Sequence, residues 1–270
     1  MKGRLERKYY VPDSLVPEVR RFMEPYVELD PYAKGNGHDG YTVRSIYYDT
    51  PGMLFYHEKI DGIKIRKKLR IRGYNQGSNN PLVFLEIKRK DDRSISKNRA
   101  SIYYSNVKDF LHNGDTQWLQ KSEEVIGAEE ARDARMFYYE YLKHNAGPVA
   151  NIIYDREPYY SKFNINLRIT LDKKVRSSNR VDLSQLFDDR NVKPVFPGYT
   201  VLEVKSYSVT YPSWLEYLIS TLDVRHRAIS KYVNGVDALN GRYHNPLTRP
   251  PLQIEHTKQS KDKTEMEVSL

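Results

Sequence analysis

Residues 64–72 read Lys64-Ile65-Arg66-Lys67-Lys68-Leu69-Arg70-Ile71-Arg72. Side chains alternate across a β-strand, so this stretch predicts a strand with Lys64, Arg66, Lys68, Arg70 and Arg72 on one face and Ile65, Leu69 and Ile71 on most of the other. A row of like charges is costly unless an anion or interleaved carboxylates neutralise it. The strand therefore asks for a polyanion.

Working outward, Asp61-Gly62 turns the chain into this strand, and a turn at 77–81 separates it from a second alternating run at 82–90. There Val83, Leu85 and Ile87 face one way, and Glu86, Lys88 and Lys90 the other. Residues 4–11 place Arg4, Glu6, Lys8 and Tyr10 together. Further strands are expected at 41–49, 100–104, 151–156, 167–171 and 200–207. The last three carry Tyr154 with Arg156, Arg168 with Asp172, and Glu203 with Lys205 and Tyr207 on their charged faces. Helical spacing of apolar residues predicts helices at about 14–25, 53–60, 106–113, 129–145, 212–223 and from Ser230 or Lys231 to 240. The glycine-rich run at 35–40 lacks the frame of a phosphate-binding loop.

A glutamate stands two residues before a lysine in three strands: Glu6/Lys8, Glu86/Lys88 and Glu203/Lys205. A solvated face explains any one of them, but three together predict a curved or closed sheet whose charged faces converge. Unpaired buried charge is prohibitive, so such an interior is expected to be wet and to hold a metal-bound polyphosphate group. The fold class that follows is α+β, with helices covering the apolar outside of the sheet.

Composition agrees. The chain has 270 residues, 39% of them hydrophobic, a formal charge of +9 and no cysteine, which excludes disulfides, thiolate metal sites and cysteine nucleophiles. No apolar run approaches a membrane span, and the first residues lack the apolar segment of a secretory signal, so the expectation is a cytoplasmic protein. Carboxylates interleaved on the basic faces oppose a nucleic-acid partner. The seven histidines show no metal-ligand spacing, and His226 among them reads as a surface or packing residue. Residues 1–243 read as one domain and 244–270 as a polar, mobile tail.

Six stretches in order, Arg4-Leu5-Glu6-Arg7-Lys8-Tyr9, Ser45-Ile46-Tyr47-Tyr48-Asp49-Thr50, Lys68-Leu69-Arg70-Ile71-Arg72-Gly73-Tyr74, Leu85-Glu86-Ile87-Lys88-Arg89-Lys90, Leu202-Glu203-Val204-Lys205 and Ser230-Lys231-Tyr232, resemble the vacuolar transporter chaperone (VTC) polyphosphate polymerase domain of the triphosphate tunnel metalloenzymes. The resemblance implies a closed antiparallel eight-stranded tunnel that binds ATP and inorganic polyphosphate with Mn²⁺ or Mg²⁺. It implies a phosphotransferase, or else a triphosphate hydrolase or a noncatalytic polyphosphate-binding module on the same scaffold. Carried over residue by residue, it makes Lys8, Arg70, Arg72, Lys88, Arg156 and Lys231 catalytic phosphate ligands. Lys97, Arg168, Lys205, Tyr154, Ser230, Arg66 and Lys68 become further phosphate contacts, with Arg66 towards the tunnel mouth. Glu203 becomes the metal ligand, with Glu6 and Glu86 as further carboxylates. Arg4 stands where the wider superfamily has the first glutamate of Glu-x-Glu-x-Lys, which favours the polymerase branch over a two-metal hydrolase. Fungal relatives join this domain to a transmembrane module, so a separate membrane partner is conceivable here.

Overall fold

In the computed structural model the basic strand forms as the alternation requires, and it sits inside an antiparallel sheet of ten strands. The described residues are 5–34, 40–75, 79–91, 94–119, 127–179 and 182–242. The expected tail at 244–270 lies outside them. In chain order the strands are β1 (Leu5–Pro12), β2 (Val27–Leu29), β3 (Tyr41–Asp49), β4 (Ile65–Tyr74), β5 (Leu82–Asp91), β6 (Ser94–Tyr103), β7 (Gly147–Ser161), β8 (Arg168–Ser178), β9 (Lys193–Pro194) and β10 (Tyr199–Ser206). The helices are α1 (Val16–Met23), α2 (Leu54–Ile60), α3 (Val107–Asn113), α4 (Ala128–Lys143), α5 (Ser213–Thr221) and α6 (Lys231–Leu239). None is long and apolar enough to cross a membrane.

Eight strands follow one path, β1-β10-β8-β7-β3-β4-β5-β6, while β2 pairs with β7 and β9 with β8. The expected closure does not occur through the backbone: among the described residues no ladder joins β1 to β6, so the sheet is open and ten-stranded rather than a closed eight-stranded barrel. Side chains span the gap instead, with Lys88 on β5 donating to Glu6 on β1 at 3.1 Å. Alternation could place charges on a face but could not say whether the two edge strands meet.

The two faces differ as the period of two requires. On the apolar face, Leu69, Ile71, Leu85 and Ile87 pack under Val107 and Phe110 of α3 and Ala134 and Phe137 of α4. Further along the same face, Tyr9, Leu171, Leu202 and Val204 pack under Val19 and Met23 of α1 and Leu215 and Leu218 of α5. Phe137 is wholly buried, as helical spacing predicts for a packing aromatic.

On the charged face one feature departs from the expected wet interior. Helix α6 lies against that face, its Tyr232, Val233 and Val236 packing with Val43, Ile152, Tyr154 and Val201. Gly235 permits the approach, because a Cβ there would collide with Ile152 and press on Ser177 Oγ at 3.2 Å. Ser230 caps the helix by accepting from Val233 N at 3.3 Å. The fold thus fills half of the face with α6 and leaves the other half polar, with Ser230 and Lys231 at the junction.

Candidate functional site

Cross-strand register assembles the polar half. Lys8 stands opposite Glu203, Glu6 opposite Lys205, Arg156 opposite Asp172, and Arg70 opposite Glu86. Opposite charges facing one another across a ladder stabilise the pairing and offset much of the charge on so basic a face. The resulting cleft of about 90 Å³ is lined by eight basic side chains, Lys8, Lys68, Arg70, Arg72, Lys88, Arg156, Lys205 and Lys231, against two carboxylates, Glu6 and Glu203. A second cavity of about 220 Å³ shares Lys8, Lys68, Lys88 and Ser230 with it and opens past Lys59, Arg66 and His226.

Each carboxylate is held by several cations. Lys8 Nζ lies 2.8 Å from Glu6 Oε1 and 3.6 Å from Glu203 Oε2, so one ammonium bridges the two. Glu203 also pairs with Lys205, and with Lys231 at 3.8 Å. Asp172 accepts from Arg156 at 2.7 and 2.9 Å and pairs with Lys231 at 2.5 Å. Burial opposes charge at Glu6, Asp172 and Glu203, but the surrounding lysines and arginines outweigh it and hold all three below the ordinary carboxylate range. Conversely, burial would lower Lys8, yet Glu6 and Glu203 raise it above the usual lysine value.

Arginines are positioned by neutral oxygens as well. Arg70 donates to Glu86 at 2.8 Å and to Tyr47 OH at 2.8 Å. Arg72 donates to Ser45 Oγ at 3.1 Å and to Tyr154 OH at 3.4 Å. Tyr47 stacks on Tyr232 with ring centroids 4.9 Å apart, and Tyr232 OH donates to Asp49 at 2.6 Å. Asp49 also accepts from Phe55 N and Tyr56 N at the start of α2. The guanidinium forks therefore enter the cleft already oriented.

The lysines divide into two groups. Lys231 and Lys205 have carboxylate partners within 4 Å, whereas Lys68 donates to Ser230 Oγ at 2.7 Å and makes no ion pair among the described residues. Burial and the charges of Lys8, Lys88, Lys59 and Arg70 push Lys68 well below the usual lysine value. Lys88 falls to about 8, because burial together with Lys8 and Lys205 outweighs Glu6 and Glu203.

Most sequence-predicted residues meet at this place, and several do not. Arg168 is exposed at the start of β8 with its guanidinium 4.5 Å from the Tyr160 ring, outside the cleft lining. Lys97 is likewise outside the lining, 44% exposed and 3.5 Å from Glu86. Lys64 precedes β4, and Arg66 turns its guanidinium to Ile63 O while lining the outer cavity. His226, read as a surface or packing residue, lines the outer cavity too, with burial and then Arg7 and Lys8 depressing its pKa.

The carboxylates also separate. Glu86 is fully buried and faced by Arg70, Arg72, Lys97 and Arg99, so it acts as a counterion that holds arginines in place. Glu6 and Glu203, by contrast, act on each other and converge on Lys8 Nζ. Two converging carboxylates suit a Mg²⁺- or Mn²⁺-type ion that takes its remaining ligands from phosphate and water, since such ions use one or two protein carboxylates. Among the described residues no group of three or more acidic or imidazole ligands gathers around one point.

Two residues that position the cleft's cations escaped the sequence reading, Tyr47 in its lining and Asp172 behind it. Asp172 was visible on a charged strand face, but its role as partner of both Arg156 and Lys231 depends on register across a bulge between Ile153 and Asp155. Tyr47 was visible by alternation within 41–49, although an aromatic in a strand ordinarily packs in a core.

Fold and cleft define an α+β protein whose curved sheet carries a cation-rich, carboxylate-studded recess. A family model of the VTC domain matches residues 3–240, and the chain belongs to that family. No curated protein matches. Among solved structures, the PH1819 protein of Pyrococcus horikoshii OT3 aligns with a TM-score of 0.42 and 17% identity, over 85% of this chain and 96% of that one. A proposed adenylate cyclase from Vibrio parahaemolyticus aligns at 0.42 and 10%, over 86% and 97%. The capping enzyme triphosphatase of Mimivirus aligns at 0.19 and 13%, over 79% and 97%. Likenesses at this level carry no residue correspondence.

Proposed function

We propose that the protein is a metal-dependent phosphotransferase that passes the γ-phosphoryl group of ATP to the end of a growing inorganic polyphosphate chain and releases ADP. The observation that carries this reading is the cleft with eight basic residues around two ionised, converging carboxylates. A terminal phosphate oxygen of the acceptor attacks Pγ, and the bond from Pγ to the β–γ bridging oxygen breaks. The attacking oxygen is already anionic and the departing one takes up its negative charge as it leaves on ADP, so no serine, cysteine or histidine nucleophile is needed, and positioning with charge neutralisation suffices.

In this reading Arg70, Arg72 and Arg156 grip the phosphates from oriented guanidinium forks. Lys8, Lys88, Lys205 and Lys231 offset the charge that builds on the donor and acceptor oxygens. Glu203 and Glu6 would hold a divalent cation once phosphate draws Lys8 away. When bound, that ion supplies electrostatic stabilisation of the phosphate oxygens. Arg66, Lys59 and Arg227 at the outer cavity steer the anion inward.

Purified protein incubated with ATP and Mn²⁺ is expected to yield ADP and long phosphate chains, resolved by gel electrophoresis. Orthophosphate and ADP without chains under any primer would instead establish a hydrolase. Tight polyphosphate binding with no turnover would establish a binding module.

A further inference from the structure

Among the cations of the cleft, Lys68 stands out by what faces it. Its side chain lines both the 90 Å³ cleft and the 220 Å³ outer cavity, so it is reachable from solvent through the wider one. The cations nearest it in effect are Lys8 on β1, Lys88 on β5, Lys59 on α2 and Arg70 on its own strand, and Glu6 on β1 lines both cavities with it. From α6 it meets Ser230 Oγ at 2.7 Å and the Tyr232 ring at 5.9 Å. Among the described residues no carboxylate pairs with it, in contrast to Lys8, Lys88, Lys205 and Lys231.

We propose that Lys68 is a covalent modification site, a reactive amine that condenses with small aldehydes carrying a phosphate group. Two requirements of such chemistry coincide at this one atom. A lysine is nucleophilic only as the free amine, and withdrawal from water beside other cations is what favours that form. The same cations, Lys8, Lys59, Lys88 and Arg70, attract the phosphate that brings the aldehyde alongside. The Nζ lone pair adds to the aldehyde carbon to give a carbinolamine. Loss of the former carbonyl oxygen as water, with both amine protons, leaves a C=N bond, so amine and aldehyde become imine and water with no change of oxidation state. Ser230, which already accepts from Nζ, holds one N–H and so turns the lone pair away from itself. This inference draws on the anion-attracting character of the cleft and not on the transfer reaction, so each stands if the other fails.

Pyridoxal 5′-phosphate is a suitable probe. The full chain is incubated with it, the imine is followed by absorbance and trapped with borohydride, and the modified peptide is located by mass spectrometry. Lys68 is expected to carry most of the label, tripolyphosphate is expected to protect it, and pyridoxal without the phosphate is expected to label it far less. Lys68→Arg removes the reacting amine and should cut total labelling to the minor share carried by the other lysines. Label spread over exposed lysines, label concentrated on Lys59 or Lys88, or label at Lys68 indifferent to tripolyphosphate would each overturn the proposal. Mapping on the unaltered chain keeps the test decisive even if the variant folds poorly.

Discussion

Two walls of one cleft have been built on opposite terms. Along β1, β7, β8 and β10, with Lys231 from α6, charges are matched: Lys8 with Glu6 and Glu203, Arg156 and Lys231 with Asp172, Lys205 with Glu203. Where β4, α2 and α6 meet, Lys68 has a serine and an aromatic ring for company and no carboxylate among the described residues. The matched wall is preorganised without any ligand, since each charge already has its counterion in place. The unmatched wall holds electrostatic strain that an incoming anion relieves, and binding energy is largest where the free protein is least content.

The largest effect expected from breaking this contrast is on the matched side. Asp172→Asn leaves Arg156 and Lys231 without their shared carboxylate and should cost about 3–5 kcal/mol of stability in urea unfolding; a loss below the error of the fit would mean that other groups neutralise those cations. Lys231→Met removes one positive charge from the cleft and should lower turnover by about 10²–10³-fold, the usual cost of one preorganised electrostatic contact. Steady-state rates at saturating ATP check it, and an unchanged rate would take Lys231 out of the phosphate site.

Smaller effects follow at the joint between the walls and on the unmatched side. Gly235→Val pushes α6 off Ile152 and Ser177 and should destabilise by about 1–3 kcal/mol, while weakening tripolyphosphate binding in calorimetry because Ser230 and Lys231 ride on that helix. Lys68→Met should do the reverse of the Asp172 change: the free protein gains about 1 kcal/mol as a buried amine with no carboxylate partner among the described residues is removed, and anion affinity drops. A less stable variant with intact affinity would erase the distinction between the walls.

The pH dependence sharpens it further. Burial and neighbouring cations lower both Lys68 and Lys88 in the free protein, Lys88 to about 8, and a bound anion raises them again. Binding therefore takes up protons, and tripolyphosphate affinity should fall as pH rises through about 8, by no more than about tenfold per pH unit for each proton. Stability of the free protein has the opposite sign. Over that range unfolded lysines hold more protons than these folded ones, so their contribution to stability rises with pH from the folded value to the ordinary lysine value. Isothermal titration and thermal melts across this range test the pair of signs, and parallel trends would refute it.

The charged row at 64–72 and the three Glu-x-Lys pairs were legible because a strand's period of two is written directly into sequence. Lys8, Arg70, Arg72, Lys88, Lys205, Glu203 and Glu6 meet in the cleft for that reason. What alternation cannot carry is register and contact between distant elements. Asp172 became a partner of Arg156 only through the β7–β8 register, and Arg168 of the same strand ended at its exposed start. An amphipathic pattern showed that α6 has an apolar side but not that this side would settle on the charged face. The short strands β2 and β9, of 3 and 2 residues, were missed because they are held by pairing rather than by composition. The open edge was missed since sequence does not reveal whether a sheet's last strand reaches its first.

Under the proposed function, that open edge bears on how a phosphate polymer gets in. Among the described residues no backbone ladder joins β1 to β6, and the Lys88–Glu6 ion pair reaches from β5 to β1, its members ones that an anion and a cation would claim for themselves. A closed ring accepts a long chain only end first, like thread through a needle. Under the proposed function, a seam bridged by side chains admits it sideways along its length, so a chain with both ends engaged elsewhere is still loaded and let go.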